Sequence, residues 1–189
     1  MDYQKYLRTK ETHLLNPNMV PFQERSYHFG QIVLHWFIAI LVLYQFVSSN
    51  TFSGIKLSEC QGTEVILVKC QSLNNHYVVG SLILVLMVFR VGMRIYFGAP
   101  MLSSKIPLYI KVLGKISHLS LYLLVILMPI TGLLGWHSYS ALMFPIHIFI
   151  SKGLLFLILI HICAVAFHEG ILGSSLIYRM TSFNNKLKK

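Results

Sequence analysis

The apolar stretch IHIFISKGLLFLILIHICAVAF, residues 146–167, decides the fold, because it is long enough to cross a bilayer as one helix. It carries two histidines, His147 and His161. At about 100° per residue, the 14 steps between them fall about 40° short of four turns, so both imidazoles lie on nearly one stripe, about 21 Å apart along the axis. An ionisable side chain inside a membrane helix is costly to bury and therefore indicates a functional site.

Three further stretches have the same character, at about 29–48, 75–97 and 114–136, and the fourth span extends over about 147–168. Hydrophobic residues make up 55% of the 189 residues and charged residues only 12%, which excludes an ordinary soluble domain. Short connections favour an all-α, up-down four-helix bundle in the membrane. We predict a tail over 1–26, a single four-span domain over 27–170, and a basic tail over 171–189.

The formal charge of +10 is distributed unevenly between the two sides of this predicted bundle. The side with both termini holds thirteen basic residues: Lys5, Arg8, Lys10, Arg25, Arg90, Arg94, Lys105, Lys111, Lys115, Arg179, Lys186, Lys188 and Lys189. The other side holds three, Lys56, Lys69 and Lys152. The positive-inside rule therefore predicts an inner-membrane protein with both termini in the cytoplasm. The charge is explained by topology and by attraction to anionic lipid, and nucleic acid is not an expected partner.

The depths of four histidines predict two level pairs. His76 and His147 lie towards the outer face, whereas His35 and His161 lie towards the cytoplasm. A b-type haem with two axial imidazoles needs one histidine from each of two helices at one depth, which a bundle interior supplies. Any one of these histidines alone is more simply explained as a packing residue, but two matched pairs favour two haems. Zinc fits less well, because its ligands cluster closely.

Other polar residues near the spans have two interpretations each. Arg90 shares the stripe of His76 and is placed to bind the propionates of an inner haem, whereas Arg94 is expected to extend to the headgroups. His118 could hydrogen-bond a propionate, a quinone or a backbone carbonyl, and His168 is either a proton donor or acceptor for a quinone or an interfacial histidine. Cys60 and Cys70, in the outer loop, either form a disulfide or are free thiols.

Four motifs give the chain a resemblance to the bacterial cytochrome b561 family, over nearly all of residues 26–181. They are LHW at 34–36, HYVVG at 76–80 followed by Arg90, SHLSLYLLVILMPITG at 117–132, and the fourth span with His147, His161 and His168, followed by YRM at 178–180. The resemblance implies two haem b groups, the outer held by His76 and His147 and the inner by His35 and His161.

The resemblance also implies an activity, because members of this family resemble superoxide:ubiquinone oxidoreductases. Electrons would pass from periplasmic superoxide through the outer and inner haems to ubiquinone in the membrane. His168 and Lys105 match positions near the quinone pocket. Two features depart from the pattern: Glu169 stands where a second histidine is usual, and the third connection, about 137–146, is short.

Two rival functions follow from the same sequence. The chain is either an enzyme of this kind or a non-catalytic relay, the membrane anchor of a larger dehydrogenase or hydrogenase fed by a redox partner protein. A haem-free metal transporter is a third hypothesis, but the spans offer no central carboxylate for an ion pathway.

Overall fold

The computed structural model describes residues 27–52, 64–99, 107–138, 142–171 and 176–181. Four long helices account for most of them: α1 (Phe29–Ser49), α2 (Glu64–Phe97), α3 (Leu108–Ser138) and α4 (Met143–Gly170). A 3-10 turn at Asn50–Phe52 follows α1, and a short helix, α5 (Leu176–Thr181), follows α4. All four long helices have the length and composition of membrane spans, which confirms the predicted four-helix membrane fold.

The helices run up and down in chain order. At one end the start of α1 meets the end of α2, since Gln31 Nε2 donates to the carbonyls of Met93 and Gly98 at 3.2 and 3.1 Å. We call this the lower end; α1 begins and α4 ends there. At the opposite, upper end, Gln45 Nε2 donates to the His76 carbonyl at 2.8 Å. Close packing joins α1 to α2, α2 to α3 and α3 to α4.

Helix boundaries differ from the sequence prediction at the upper end of α2 and the lower end of α3. The second helix begins at Glu64 rather than 75, and the third at Leu108 rather than 114. The early turns of α2 combine an apolar run at 65–68 with polar residues, and Gln71 Nε2 donates to Asn75 Oδ1 one turn on, at 3.0 Å. Hydropathy marks where a helix enters lipid, whereas such i,i+4 pairs allow it to continue into water.

The lower ends of α1 and α2 are capped by specific residues. His28 Nδ1 accepts from the Gly30 N–H at 3.3 Å, and Gln31 Oε1 accepts from the His28 N–H at 3.3 Å, which completes a capping box. Gly98 ends α2 with a φ of 68°, a conformation that disfavours other residues, and its N–H donates to the Arg94 carbonyl. Gln31 thus ties the start of one span to the end of the next.

An apolar layer crosses the middle of the bundle and separates two polar levels. Each long helix contributes to it, and its buried members are Ile38, Val42, Ile83, Met87, Val125 and Leu154. On α4, Leu154 lies midway between His147 and His161. The outward-facing apolar side chains, such as Phe149 at 79% exposed, are those that lipid would cover.

The short helix α5 returns beneath the lower end of the bundle. Trp36 Nε1 on α1 donates to the Met180 carbonyl at 2.8 Å, and Glu169 Oε2 at the end of α4 accepts from the Ile177 N–H at 3.2 Å. These two bonds hold α5 against the first and last spans. The sequence indicates only a basic tail over 171–189, and this helix was not predicted.

Candidate cofactor sites

The imidazoles of His76 on α2 and His147 on α4 face each other at the upper end of the bundle. Their ring centroids are 6.1 Å apart and their planes are inclined by 77°. Two imidazoles that bind one metal from opposite sides place their centroids roughly 6 Å apart, since each metal–nitrogen bond is about 2 Å and each ring adds roughly 1 Å. We call these residues the upper histidine pair; its spacing fits a shared iron.

The neighbours of His147 on α3 determine its tautomer, that is, which ring nitrogen carries the proton. Its Nδ1 lies 3.0 Å from the Met128 carbonyl oxygen and 3.2 Å from Thr131 Oγ1. A carbonyl only accepts hydrogen bonds, so Nδ1 must carry the proton and donate it. The lone pair of the neutral ring is then on Nε2, the state in which a histidine ligates a metal while its other nitrogen donates to a carbonyl.

Three histidines, rather than two, gather near the lower end of the bundle. The rings of His118 on α3 and His161 on α4 have centroids 5.1 Å apart, inclined by 74°. His35 on α1 is close enough to both to interact electrostatically. We call these three residues the lower histidine cluster. From the sequence, His161 was expected to pair with His35, and His118 was not expected to belong to the pair.

Arg90 on α2 lies against this cluster. Its Nη2 donates to His35 Nδ1 at 3.0 Å, its Nη1 donates to the Gln31 carbonyl at 3.3 Å, and its Cζ is 5.7 Å from the centre of the Tyr122 ring. A guanidinium has donors only, so His35 Nδ1 is the acceptor and the proton of the neutral ring is on Nε2. As placed, His35 therefore has the opposite tautomer from His147.

A small open recess lies beside the lower histidine cluster. Its cationic and hydrogen-bonding walls are suited to an anionic or carbonyl-bearing group. Arg94 faces it as well as Arg90, and Arg94 Cζ is 5.7 Å from the Tyr27 ring. The residues that line it are Tyr27, Gln31, Leu34, Arg90, Met93, Arg94, His118, Tyr122 and Met180.

The remaining sequence candidates lie outside this recess or outside the described residues. His168 is a half-buried residue on α4, with its ring centroid 6.4 Å from that of Phe167, and the described lining of the recess does not include it. Lys105 falls within 100–106 and Cys60 within 53–63, so the predicted quinone contact and the possible Cys60–Cys70 disulfide both involve undescribed positions. Within the described ranges, no three His, Cys, Asp or Glu side chains are grouped to hold a metal ion.

Several residues of these sites were missed by the sequence analysis. Thr131 is only 8% exposed although it is polar, and Gln31 is equally buried. A signal existed for both, since an uncharged polar residue inside an apolar span usually serves a hydrogen bond there. Tyr122 lies one turn beyond His118 on the same face of α3, and this spacing could have indicated that it belongs to the same site.

The described backbones of the helices that carry the paired histidines are not in close contact. His76 and His147 join α2 to α4, and His35 and His161 join α1 to α4; within the described residues neither helix pair packs closely. A flat macrocycle held by histidines of two helices requires that the backbones of those helices stay apart. In contrast, His118 and His161 lie on α3 and α4, which pack directly against each other.

Comparison with known proteins agrees with this arrangement. Residues 26–183 match the family model described as prokaryotic cytochrome b561. Cytochrome b562 of Cereibacter sphaeroides is 32% identical over 158 residues, which cover 84% of this chain and 96% of that protein. The chain therefore belongs to the prokaryotic cytochrome b561 family, the membrane b-type cytochromes of electron transfer.

Proposed function

We propose that the chain binds two b haems, one between His76 and His147 at the upper end and one between His35 and His161 at the lower end, and carries electrons between a donor at the upper face and ubiquinone. The observation that carries this proposal is the pair of facing rings of His76 and His147, 6.1 Å apart, together with His161 four turns further along α4. Bound haem supplies one-electron redox chemistry.

Two arguments favour His35 over His118 as the partner of His161. His35 and His161 lie on α1 and α4, whose described backbones are not closely packed, whereas His118 meets His161 where α3 and α4 are already in contact. A ring centroid separation of 5.1 Å is also shorter than the roughly 6 Å expected for two ligands of one iron. His118 faces the recess instead, which suits contact with a quinone carbonyl.

Arg90 and Arg94 are proposed to bind the haem propionates at the lower end. Both line the recess, and an arginine fork matches a carboxylate in shape and charge. A carboxylate is a stronger acceptor for a guanidinium than an imidazole nitrogen. Arg90 would then release His35 Nδ1, so that this nitrogen takes the proton and Nε2 becomes free to ligate.

The proposed reaction is the oxidation of superoxide and the reduction of ubiquinone. Two superoxide anions give two electrons and two molecules of dioxygen, and ubiquinone takes these two electrons with two protons to become ubiquinol. His118, with His168 and Lys105 as further candidates, would hold the quinone at the lower end. The resemblance of the motifs to family members with this activity supports the assignment.

A relay fed by a partner protein is the second candidate, and one observation favours it. Only residues 139–142 connect α3 to α4 at the upper end. So short a connection offers few residues that could cover the upper histidine pair, which suits docking of a partner subunit. The chain would then be the membrane anchor of a dehydrogenase or hydrogenase.

The orientation is part of the proposal. The excess of Lys and Arg at the lower end supports an inner-membrane protein with both termini in the cytoplasm. The upper histidine pair would then face the periplasm.

Two measurements on the purified full-length protein test the function. A pyridine haemochrome assay should give two b haems per chain; one or none in folded protein would refute the dihaem proposal. Superoxide generated by pulse radiolysis should then reduce the haems and ubiquinone faster than in a His76→Ala variant. Equal rates would exclude the enzyme and leave the partner-fed relay.

A further inference from the structure

We propose that the Met128 carbonyl, Thr131 and Gly132 of α3 form a positioning element for His147, which fixes its tautomer and ring orientation and lowers the reduction potential of the upper haem. We call these three groups the α3 cradle. The inference rests on the proposed function, because it presumes that His147 ligates an iron. Among the described residues, His35 Nδ1 instead faces a donor, Arg90 Nη2.

The hydrogen bonds of Thr131 show which way the proton of His147 points. Thr131 Oγ1 lies 3.0 Å from the Leu127 carbonyl and 2.9 Å from the Met128 carbonyl, both one turn back on its own helix. Its single proton is therefore directed to α3 carbonyls, and its oxygen faces His147 Nδ1 as an acceptor. The Nδ1–H is shared between two acceptors, Met128 O and Thr131 Oγ1, so that rotation of the ring in either direction weakens a bond.

Gly132 allows the ring to come this close to α3. A Cβ at this position would lie 3.2 Å from Cε1 and 3.3 Å from Nδ1 of His147. These separations are shorter than ordinary van der Waals contact, so any larger residue would require the His147 ring to shift by a few tenths of an ångström from its position against α3. Thr131 and Gly132 are adjacent in sequence, and the cradle is therefore built from one turn of one helix.

The electronic effect follows from the direction of the bond. An imidazole that donates from Nδ1 becomes more basic at Nε2 and a stronger electron donor to a bound metal. A stronger donor stabilises the ferric more than the ferrous state and lowers the potential. The Arg90–His35 contact has the opposite sense, since a cation near the ring withdraws electron density. The hydrogen bonds of the two histidines therefore have opposite effects on the electron density that each ring would offer to a bound iron.

The test uses Gly132→Ala and Thr131→Val in the full-length haem-loaded protein. Gly132→Ala displaces the ring, and Thr131→Val removes one acceptor at nearly constant volume. We expect the upper-haem component of a potentiometric titration to move to higher potential in both, and its low-spin ferric EPR signal to shift. Loss of haem from the upper site should become on the order of 10-fold easier.

Two variants serve as matched controls. Gly114→Ala places the same methyl group on the same helix, where no described atom beyond that helix's own backbone lies within 4 Å of it, and should titrate as wild type. Thr131→Ser restores the hydroxyl and should return the wild-type potential. If Gly132→Ala and Thr131→Val titrate like Gly114→Ala with both haems retained, the cradle has no positioning role. If the wild type itself lacks a second haem, it is the proposed function that fails.

Discussion

Arg90 Nη2 donates to His35 Nδ1 across 3.0 Å, which links the second span to the first at the level of the lower histidine cluster. The same guanidinium also holds the Gln31 carbonyl. Arg90 therefore lies where α1, α2 and the recess meet. We expect its substitution to affect the lower histidine cluster and not the upper histidine pair.

Replacement of Arg90 by Gln should weaken haem binding at the lower site on the order of 10-fold and leave the upper site loaded, because the proposed propionate contact is lost. The measurement is the haem-to-protein ratio of folded, monodisperse protein after exposure to a haem-scavenging apoprotein. Lys115→Gln removes an exposed charge from the same end of the bundle and is the control. Equal loss of haem from both variants would show that haem retention depends on the total charge at the lower end and not on the Arg90 contact.

Replacement of His147 by Ala should remove one haem and spare the other, since the two levels are about 21 Å apart along α4. The remaining haem should keep the spectrum and potential of the lower site. His137→Ala, which alters an exposed histidine at the same end, should retain both haems. Loss of both haems from folded His147→Ala protein would contradict two independent sites.

The identity of the lower ligands can be tested with a pair of substitutions. His161→Ala should lose the lower haem, whereas His118→Ala should keep it with a changed rate of quinone reduction. The reason is that His118 faces the recess and lies where α3 and α4 pack directly against each other. The reverse result, with haem lost only from His118→Ala, would make His118 the ligand and His161 its neighbour. Haem content and single-turnover oxidation by a ubiquinone analogue provide the two readouts.

Superoxide oxidation should depend on ionic strength, because cationic side chains attract the anion to the upper face. We expect the rate to fall with added salt and on combined replacement of Lys56 and Lys69 by Gln; Lys56 lies in the undescribed segment 53–63. Lys152→Gln is the matched control, since Lys152 is directed about 140° away from His147 around α4. A rate unaffected by salt or by the double substitution would mean that these lysines do not steer the substrate.

The number, order and depth of the helices were predictable from the sequence because lipid imposes long apolar segments, whereas hydropathy located the helix ends less closely. Depth also predicted that His76 and His147 share a level. The rotation of each helix about its axis was not predictable, because it depends on how neighbouring helices pack. For that reason the approach of His118 to His161 and the contact of Arg90 with His35 became visible only in three dimensions.

Thr131 illustrates the same limit at the level of a single side chain. Its position within an apolar span showed that it needed a hydrogen-bond partner, but most buried threonines satisfy this need with a carbonyl one turn back on their own helix. Thr131 does so and in addition faces a histidine of the next helix. No periodicity in the sequence distinguishes the two situations.

The apolar layer formed by Ile38, Val42, Ile83, Met87, Val125 and Leu154 has an electrical consequence. Aliphatic and thioether side chains neither donate nor accept protons, so an electron crossing this layer under the proposed function travels without a proton. Each transfer then moves uncompensated charge through the membrane, worth about 2.3 kcal/mol per 100 mV for a complete crossing. Turnover in sealed vesicles should slow as the lower side becomes more negative, and should recover when an ionophore discharges the gradient.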